Sequence, residues 1–215
     1  MPRCRLYILS TPLIPDLAAF AVTLEQALSA GDVACFQLRL KGSDDATIRA
    51  ATAKLMPICH EEDVAFIMND RPDLARDLGC DGVHIGPDDA SYANARRMVG
   101  PDVMIGVTCK NSRHLAMDLA DEGADYVAFG AFYPTTTKDV AELEPADPEI
   151  LSVWSETTNV PCVAIGGITV KNCEPLIAAG ADFIAVSSGI WNYAGGPAAA
   201  VRAFNEKIDQ TPRGP

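Results

Sequence analysis

Apolar residues in this chain gather into eight short runs, at 6–10, 34–40, 65–69, 82–86, 104–108, 126–130, 162–166 and 183–188, each with the length of a strand. Between them the pattern switches to a helical period. Within 16–30, Leu17, Phe20, Leu24 and Leu28 recur at i, i+3, i+7 and i+11, the apolar stripe of an amphipathic helix. Helices are likewise predicted over 44–61, 72–78, 90–99, 112–122, 147–157, 170–179 and 196–208. Asn111-Ser112 and Asp147-Pro148 supply starts, while Gly31, Gly79, Gly123 and Gly180 supply stops. A strand followed by a helix, eight times over, predicts an α/β protein with a parallel sheet that closes as a single (β/α)8 TIM barrel. A doubly wound open sheet is the alternative, but it requires no such regularity. The barrel is expected to span 1–209, with a disordered tail over 210–215.

The phrase glycine, small residue, aspartate recurs at Gly79-Cys80-Asp81, Gly123-Ala124-Asp125 and Gly180-Ala181-Asp182, each time between a helix and the next strand. A glycine there can take the left-handed backbone that ends a helix. The opposite ends of the strands are polar. They carry Gln37, Arg39 and Lys41, then Asn69 and Asp70, then Asp88 and Asp89, then Thr108, then Thr135-Thr136-Thr137-Lys138, Gly166-Gly167 and Ser187-Ser188. A barrel collects these exits on one face, where active sites form. Cations, carboxylates, hydroxyls and glycines together point to an enzyme acting on a phosphorylated substrate.

Composition narrows the partners. A chain of 215 residues is long enough for one full core. The net charge of −12 argues against nucleic acid or an anionic membrane as the main partner, since both reward basic surface. No apolar run approaches the ~20 residues that cross a bilayer. Met1-Pro2-Arg3-Cys4-Arg5 leads straight into a strand without an apolar signal region, so a cytoplasmic location is expected. Seven cysteines without a C-x-x-C spacing read as reduced thiols. Small-molecule substrates are the expected partners, and a homo-oligomer is compatible with everything in the sequence.

Several motifs carry chemistry beside a blander reading. Gln37-Leu38-Arg39-Leu40-Lys41 alternates, which puts Gln37, Arg39 and Lys41 on one face of a strand. That face is either an ion-paired core layer or an anion clamp, in which a planar Arg fork and a Lys charge complement a diphosphate. Asp70 and Asp89 each read alone as a helix N-cap; jointly, at neighbouring strand ends, they suit Mg²⁺, which takes one or two carboxylates and completes its shell with water and phosphate. Gly166-Gly167 and Ser187-Ser188 end strands seven and eight, where a phosphate can approach backbone N–H groups. The loop after strand six, to about Asp147, is long enough for a lid. His84 reads as a structural histidine within strand four, and His60 and His114 as surface residues. Nothing in the sequence marks the Cys109 thiol as activated.

Taken in order, Leu6-Tyr7-Ile8, Gln37-x-Arg39-x-Lys41, Ile67-Met68-Asn69-Asp70, Gly82-Val83-His84-Ile85-Gly86-x-x-Asp89, Gly106-Val107-Thr108, Gly123-Ala124-Asp125-Tyr126, Pro134-Thr135-x-Thr137-Lys138 and Ala164-Ile165-Gly166-Gly167-Ile168 resemble the thiamine-phosphate synthase family over essentially the whole chain. The resemblance implies joining an aminopyrimidine methyl diphosphate to a hydroxyethylthiazole phosphate with release of pyrophosphate. The C–O bond breaks first, and the thiazole nitrogen captures a pyrimidine-stabilised cation. By position it implies that Gln37, Arg39, Lys41 and Asn69 hold the diphosphate together with Lys138, and that Asp70 and Asp89 hold Mg²⁺. Thr108 stands near the pyrimidine where the family usually has Ser. Thr135 and Thr137 would contact the thiazole, with Gly167 and Ser188, beside Ser187, on its phosphate. Lys138, Arg39, Lys41 and Thr108 are the implied catalytic residues. The chain departs from the family at Pro87, where Gln is usual, at Thr108-Cys109-Lys110, where Ser-x-His is common, and in 139–148, which lacks the usual Gly.

Two other functions fit parts of this pattern. A thiazole tautomerase of the same superfamily typically lacks the anion clamp and metal carboxylates and uses a His near the end of strand five, where this chain has Lys110. A non-catalytic phosphate-binding paralogue would keep the clamp without turnover.

Overall fold

The computed structural model describes residues 2–134 and 145–214. Its strands are β1 (Arg5–Leu9), β2 (Val33–Leu38), β3 (Ala65–Asn69), β4 (Gly82–Ile85), β5 (Met104–Lys110), β6 (Tyr126–Phe129), β7 (Cys162–Ile165) and β8 (Phe183–Val186). Each pairs in parallel with its sequence neighbours, and β8 returns to β1 with Phe183 opposite Arg5, so the sheet is a closed barrel. Closure excludes the open doubly wound sheet. The helices are α1 (Leu17–Leu28), α2 (Asp45–Glu61), α3 (Pro72–Leu78), α4 (Tyr92–Val99), α5 (Arg113–Asp121), α6 (Glu149–Thr157), α7 (Glu174–Ala178), α8 (Ser188–Trp191) and α9 (Pro197–Gln210). The short α8 was not expected: the run at 183–188 stops as a strand at Val186, and Ser188 already belongs to the helix. No helix among the described residues is long and apolar enough to cross a membrane.

Period-two alternation splits the strand side chains between two cores. Leu6, Ile8, Phe36, Leu38, Phe66 and Met68 point outward and join the helices' Leu24, Leu55 and Phe204 in the larger cluster. Tyr7, Leu9, Cys35, Ile67, Tyr126, Ala128, Val163 and Ala185 point inward and fill the barrel. The inward positions nearest the C-terminal rim are polar, and they make the site.

The recurring Gly-x-Asp phrase has a role at the other rim. Gly79, Gly123 and Gly180 all have positive φ, as the helix-to-strand turns require. The aspartate of each phrase then accepts a backbone N–H from the start of the preceding strand: Asp81 from Phe66 at 2.6 Å, Asp125 from Ile105 at 2.7 Å and Asp182 from Cys162 at 2.9 Å. Each also meets a basic side chain: His60, Arg96 and Arg213 respectively. The last of these lies in the segment after 209 for which a disordered tail is expected. Arg213 lies 2.7 Å from Asp182 with its side chain 7% exposed, it also donates to the Gly180 carbonyl, and the Gly214 N–H reaches the Ala178 carbonyl at 3.0 Å. An arginine with a carboxylate and a carbonyl to bind at the barrel floor fastens the segment after α9.

Candidate active site

Gln37 points inward on β2, and Arg39 and Lys41 continue its face past the strand end into the wall of a cavity of about 120 Å³. Asn69 ends β3 and lines the same cavity, followed by Asp70 at φ 61°, a left-handed conformation that Asp tolerates better than most side chains. The Asp70 N–H donates to the His84 carbonyl at 2.8 Å, which ties this turn to β4. Neither Asp70 nor Asp89 caps a helix. Arg71 stands at the N-cap of α3 without a side-chain bond, and Ser91 caps α4 by accepting from Asn94. Asp89 instead accepts the Gly86 N–H at 2.8 Å, which folds the β4–α4 loop back over the cavity.

Lys41 Nζ lies 3.3 Å from Asp70 Oδ2. Burial, and next the adjoining Asp89 carboxylate, push the Asp70 carboxyl above the ordinary carboxylate range, with Lys41 acting in the opposite sense. Burial lowers the Arg39 guanidinium from its ordinary value, opposed by Asp70. Arg39 forms no ion pair among the described residues, so its fork is available to an anion. Two carboxylates in contact repel each other, and a cation between them relieves the repulsion. Among the described residues no group of three or more His, Cys, Asp or Glu gathers for a metal. Two carboxylates beside an anion clamp suit Mg²⁺, which retains water and phosphate ligands, and do not suit a closed zinc site.

Behind Arg39 and Lys41 lies a layer of hydrogen-bonded polar groups. Gln37 Nε2 donates to Asn69 Oδ1 at 2.6 Å, and Tyr7 Oη donates to Gln37 Oε1 at 2.8 Å. Tyr7 meets Tyr126 at 3.0 Å; Tyr126 meets His84 Nδ1 at 3.0 Å; and His84 Nε2 meets Thr108 Oγ1 at 2.8 Å. Burial raises both tyrosine hydroxyls above their ordinary range, so they stay protonated. His84, expected to be merely structural, therefore stands in the cavity wall with Thr108.

The β7 and β8 exits lie to one side. Gly166 and Gly167 have φ of 106° and 63°. A Cβ on Gly167 would stand 2.4 Å from the Pro134 carbonyl oxygen, so this glycine is already required by the chain's own packing. Ser187 Oγ donates to the Ser10 carbonyl at 3.1 Å, and Ser188 opens α8. None of Gly167, Ser187 and Ser188 lines the cavity of the clamp.

A family model described as thiamine monophosphate synthase matches residues 6–190. The chain belongs to the thiamine-phosphate synthase family. The thiamine-phosphate synthase of Rhodospirillum centenum is 58% identical over 205 residues, covering 95% of this chain and 98% of its own. That of Hyphomonas neptunium is 56% identical, covering 95% and 93%. The solved structure of a thiamine phosphate pyrophosphorylase from Pyrococcus furiosus superposes with a TM-score of 0.82 at 26% identity, covering 96% of each chain.

Of the residues singled out in the sequence, Gln37, Arg39, Lys41, Asn69, Asp70, Asp89 and Thr108 line one cavity. Thr135, Thr137 and Lys138, and most of the expected lid, lie outside the described residues. The sequence reading missed Tyr7 and Tyr126. Their signal was an inward hydroxyl on each of two strands, with Gly106 in register opposite Tyr126. Pro87 lines the cavity between Gly86 and Asp88, whereas Lys110 sits beyond a bulge in β5 at φ 54° and does not line it. All seven cysteines are free and buried, and burial pushes the Cys109 thiol up to about 12.

Proposed function

We propose that this chain joins an aminopyrimidine methyl diphosphate to a hydroxyethylthiazole phosphate, forming thiamine phosphate and pyrophosphate, as a Mg²⁺-dependent transferase. The observation that carries this reading is the meeting of Arg39 and Lys41 with Asp70 and Asp89 around one cavity. Departure of a diphosphate concentrates negative charge on its bridging oxygen. Cations placed there in advance stabilise the transition state more than the ground state. Arg39 offers a planar fork already stripped of water, Lys41 a point charge, and Asn69 an amide donor. Mg²⁺ held by Asp70 and Asp89 would add charge neutralisation of the leaving group.

The rest of the cavity suits a carbocation. Tyr7, Gln37, His84 and Thr108 are hydrogen-bonding groups without a nucleophile aimed at the substrate, and Leu9, Val163 and Ile165 line the wall beside them. Such a surface exposes the cation to few nucleophiles other than the thiazole nitrogen. A ring nitrogen with a free lone pair needs no general base to attack. Gly166-Gly167, Ser187 and Ser188, away from Arg39 and Lys41, are our proposed seat for the thiazole phosphate, with Thr135 and Thr137 as proposed contacts of the thiazole and Lys138 of the diphosphate. Buried reduced thiols support a cytoplasmic setting.

Turnover of the two substrates by purified protein, with Mg²⁺ and with excess chelator, tests the reading. Thiamine phosphate should form only with the metal. No product under either condition would favour the phosphate-binding paralogue, and full activity in chelator would remove the metal from the proposal.

A further inference from the structure

Three successive carbonyls at the β7 exit are held by partners on two neighbouring segments. The Ile165 and Gly166 carbonyls accept the Phe132 and Tyr133 N–H groups at 3.2 and 3.1 Å. The Gly167 carbonyl accepts from Asn172 Nδ2 at 3.1 Å. In a trans peptide the carbonyl and the following N–H point in opposite directions. The Gly167 and Ile168 N–H groups are thereby turned away from Tyr133 and Asn172, and neither has an acceptor among the described residues. The next N–H is already taken: Thr169 gives it to Asn172 Oδ1 at 2.7 Å. The turn therefore offers two adjacent donors and stops there. Successive backbone N–H groups of this kind form a concavity that takes an anion.

Asn172 sets this arrangement. Its amide has one orientation, because Nδ2 faces a carbonyl and Oδ1 faces an N–H. Its own N–H returns to the Thr169 carbonyl at 3.2 Å, and its carbonyl accepts the Tyr133 hydroxyl at 2.7 Å. Tyr133 thus grips the turn twice, by its N–H at Gly166 and by its hydroxyl at Asn172. Gly166 and Gly167 have φ of 106° and 63°, and glycine backbone is the least restricted of all. Without Asn172 the Gly167 carbonyl is free to swing round to the donor side, where its oxygen would repel an anion.

We infer that Asn172 and Tyr133 are positioning residues that hold the Gly167 carbonyl away from the thiazole phosphate and turn the Gly167 and Ile168 N–H groups toward it. The inference rests on the proposed function only for the molecule that carries the phosphate.

Amide NMR of the full chain, titrated with inorganic phosphate, reads the turn residue by residue. In the wild type the Gly167 and Ile168 amides should shift on titration. Asn172→Ala should raise the apparent Kd at these amides by about tenfold or more, while the Kd read at the Arg39 amide stays within about twofold. A general loss of structure would move both. Unresponsive Gly167 and Ile168 amides in the wild type, or an equal Kd in wild type and variant, would overturn the inference. Tyr133→Phe removes only the hydroxyl and should raise the Kd at the same amides by about threefold or more. It decides the matter should Asn172→Ala fail to fold. In turnover, Asn172→Ala should raise the KM for thiazole phosphate by about tenfold or more and that for the pyrimidine diphosphate by less than about twofold. An equal rise in both would count against the positioning role. If the wild type forms no thiamine phosphate while the amides behave as expected, the proposed function has failed and the positioning role stands.

Discussion

The ring of Tyr126 occupies the volume that a side chain at position 106 would need: a Cβ on Gly106 would stand 1.8 Å from Tyr126 Cζ. The two residues face each other in register across β5 and β6. Gly106 is thus a condition for Tyr126 to point into the barrel and reach Tyr7 and His84. Gly106→Ala should displace the tyrosine, destabilising the protein by about 1–3 kcal/mol through overpacking. Thermal unfolding and kinetics at a temperature where the variant is folded would check this. Activity should fall well below wild type there, and full activity would mean that the tyrosine's position does not matter.

The raised Asp70 carboxyl has a consequence for stability. A carboxyl raised in the fold favours its neutral form, so the protein loses stability as pH climbs from the ordinary carboxylate range through the raised folded value. Asp70→Asn removes that loss, and Asn accepts the left-handed backbone at φ 61° as readily as Asp. The variant should melt higher than wild type at neutral pH without divalent ions, lose this advantage in acid or in Mg²⁺, and be inactive. A lower melting point at neutral pH would contradict the assigned electrostatics.

Arg39 should matter to one substrate only. Arg39→Gln removes a charge-assisted contact to the leaving group worth about 2–4 kcal/mol, or roughly 30- to 1,000-fold in kcat/KM for the pyrimidine diphosphate. The KM for thiazole phosphate should stay within about twofold. Steady-state kinetics with each substrate varied in turn would separate the effects, and an equal rise in both KM values would count against a clamp on the diphosphate alone.

The fastening of the tail predicts a purely structural effect. Arg213→Ala, or a chain ending at Gln210, leaves the Asp182 carboxylate without its cation. The expected loss is about 1–3 kcal/mol, read as a lower melting temperature with kcat unchanged. An unaltered melting curve would mean the contacts contribute nothing net.

Burial pushes the thiols of Cys59, Cys80 and Cys109 up to about 12. At pH 8 they are protonated and shielded, so a thiol reagent should leave the folded enzyme active and react fully only after denaturation. Fast modification of Cys109 with loss of activity would place that thiol in the chemistry.

The alternation at 37–41 and the polar exits after 69, 84 and 104–108 were legible because a strand's period of two is a local property. Once β2 is a strand, Gln37 and Arg39 must share a face. The Gly-x-Asp phrase likewise announced its turns, since each glycine conformation is set within a few residues. Which residues meet across the barrel was not local. Tyr7 and Tyr126 stand 119 positions apart and touch only because eight strands close into a ring. The caps were undecided for a related reason: whether Asp70 and Asp89 serve α3 and α4 or the cavity depends on helix starts one or two residues away, which packing sets. Arg213 read as part of a loose tail because its partners, Asp182 and the Gly180 carbonyl, lie about thirty residues upstream. Backbone periodicity is written in neighbouring residues, whereas hydrogen-bond partners across a barrel are assigned only when the sheet closes.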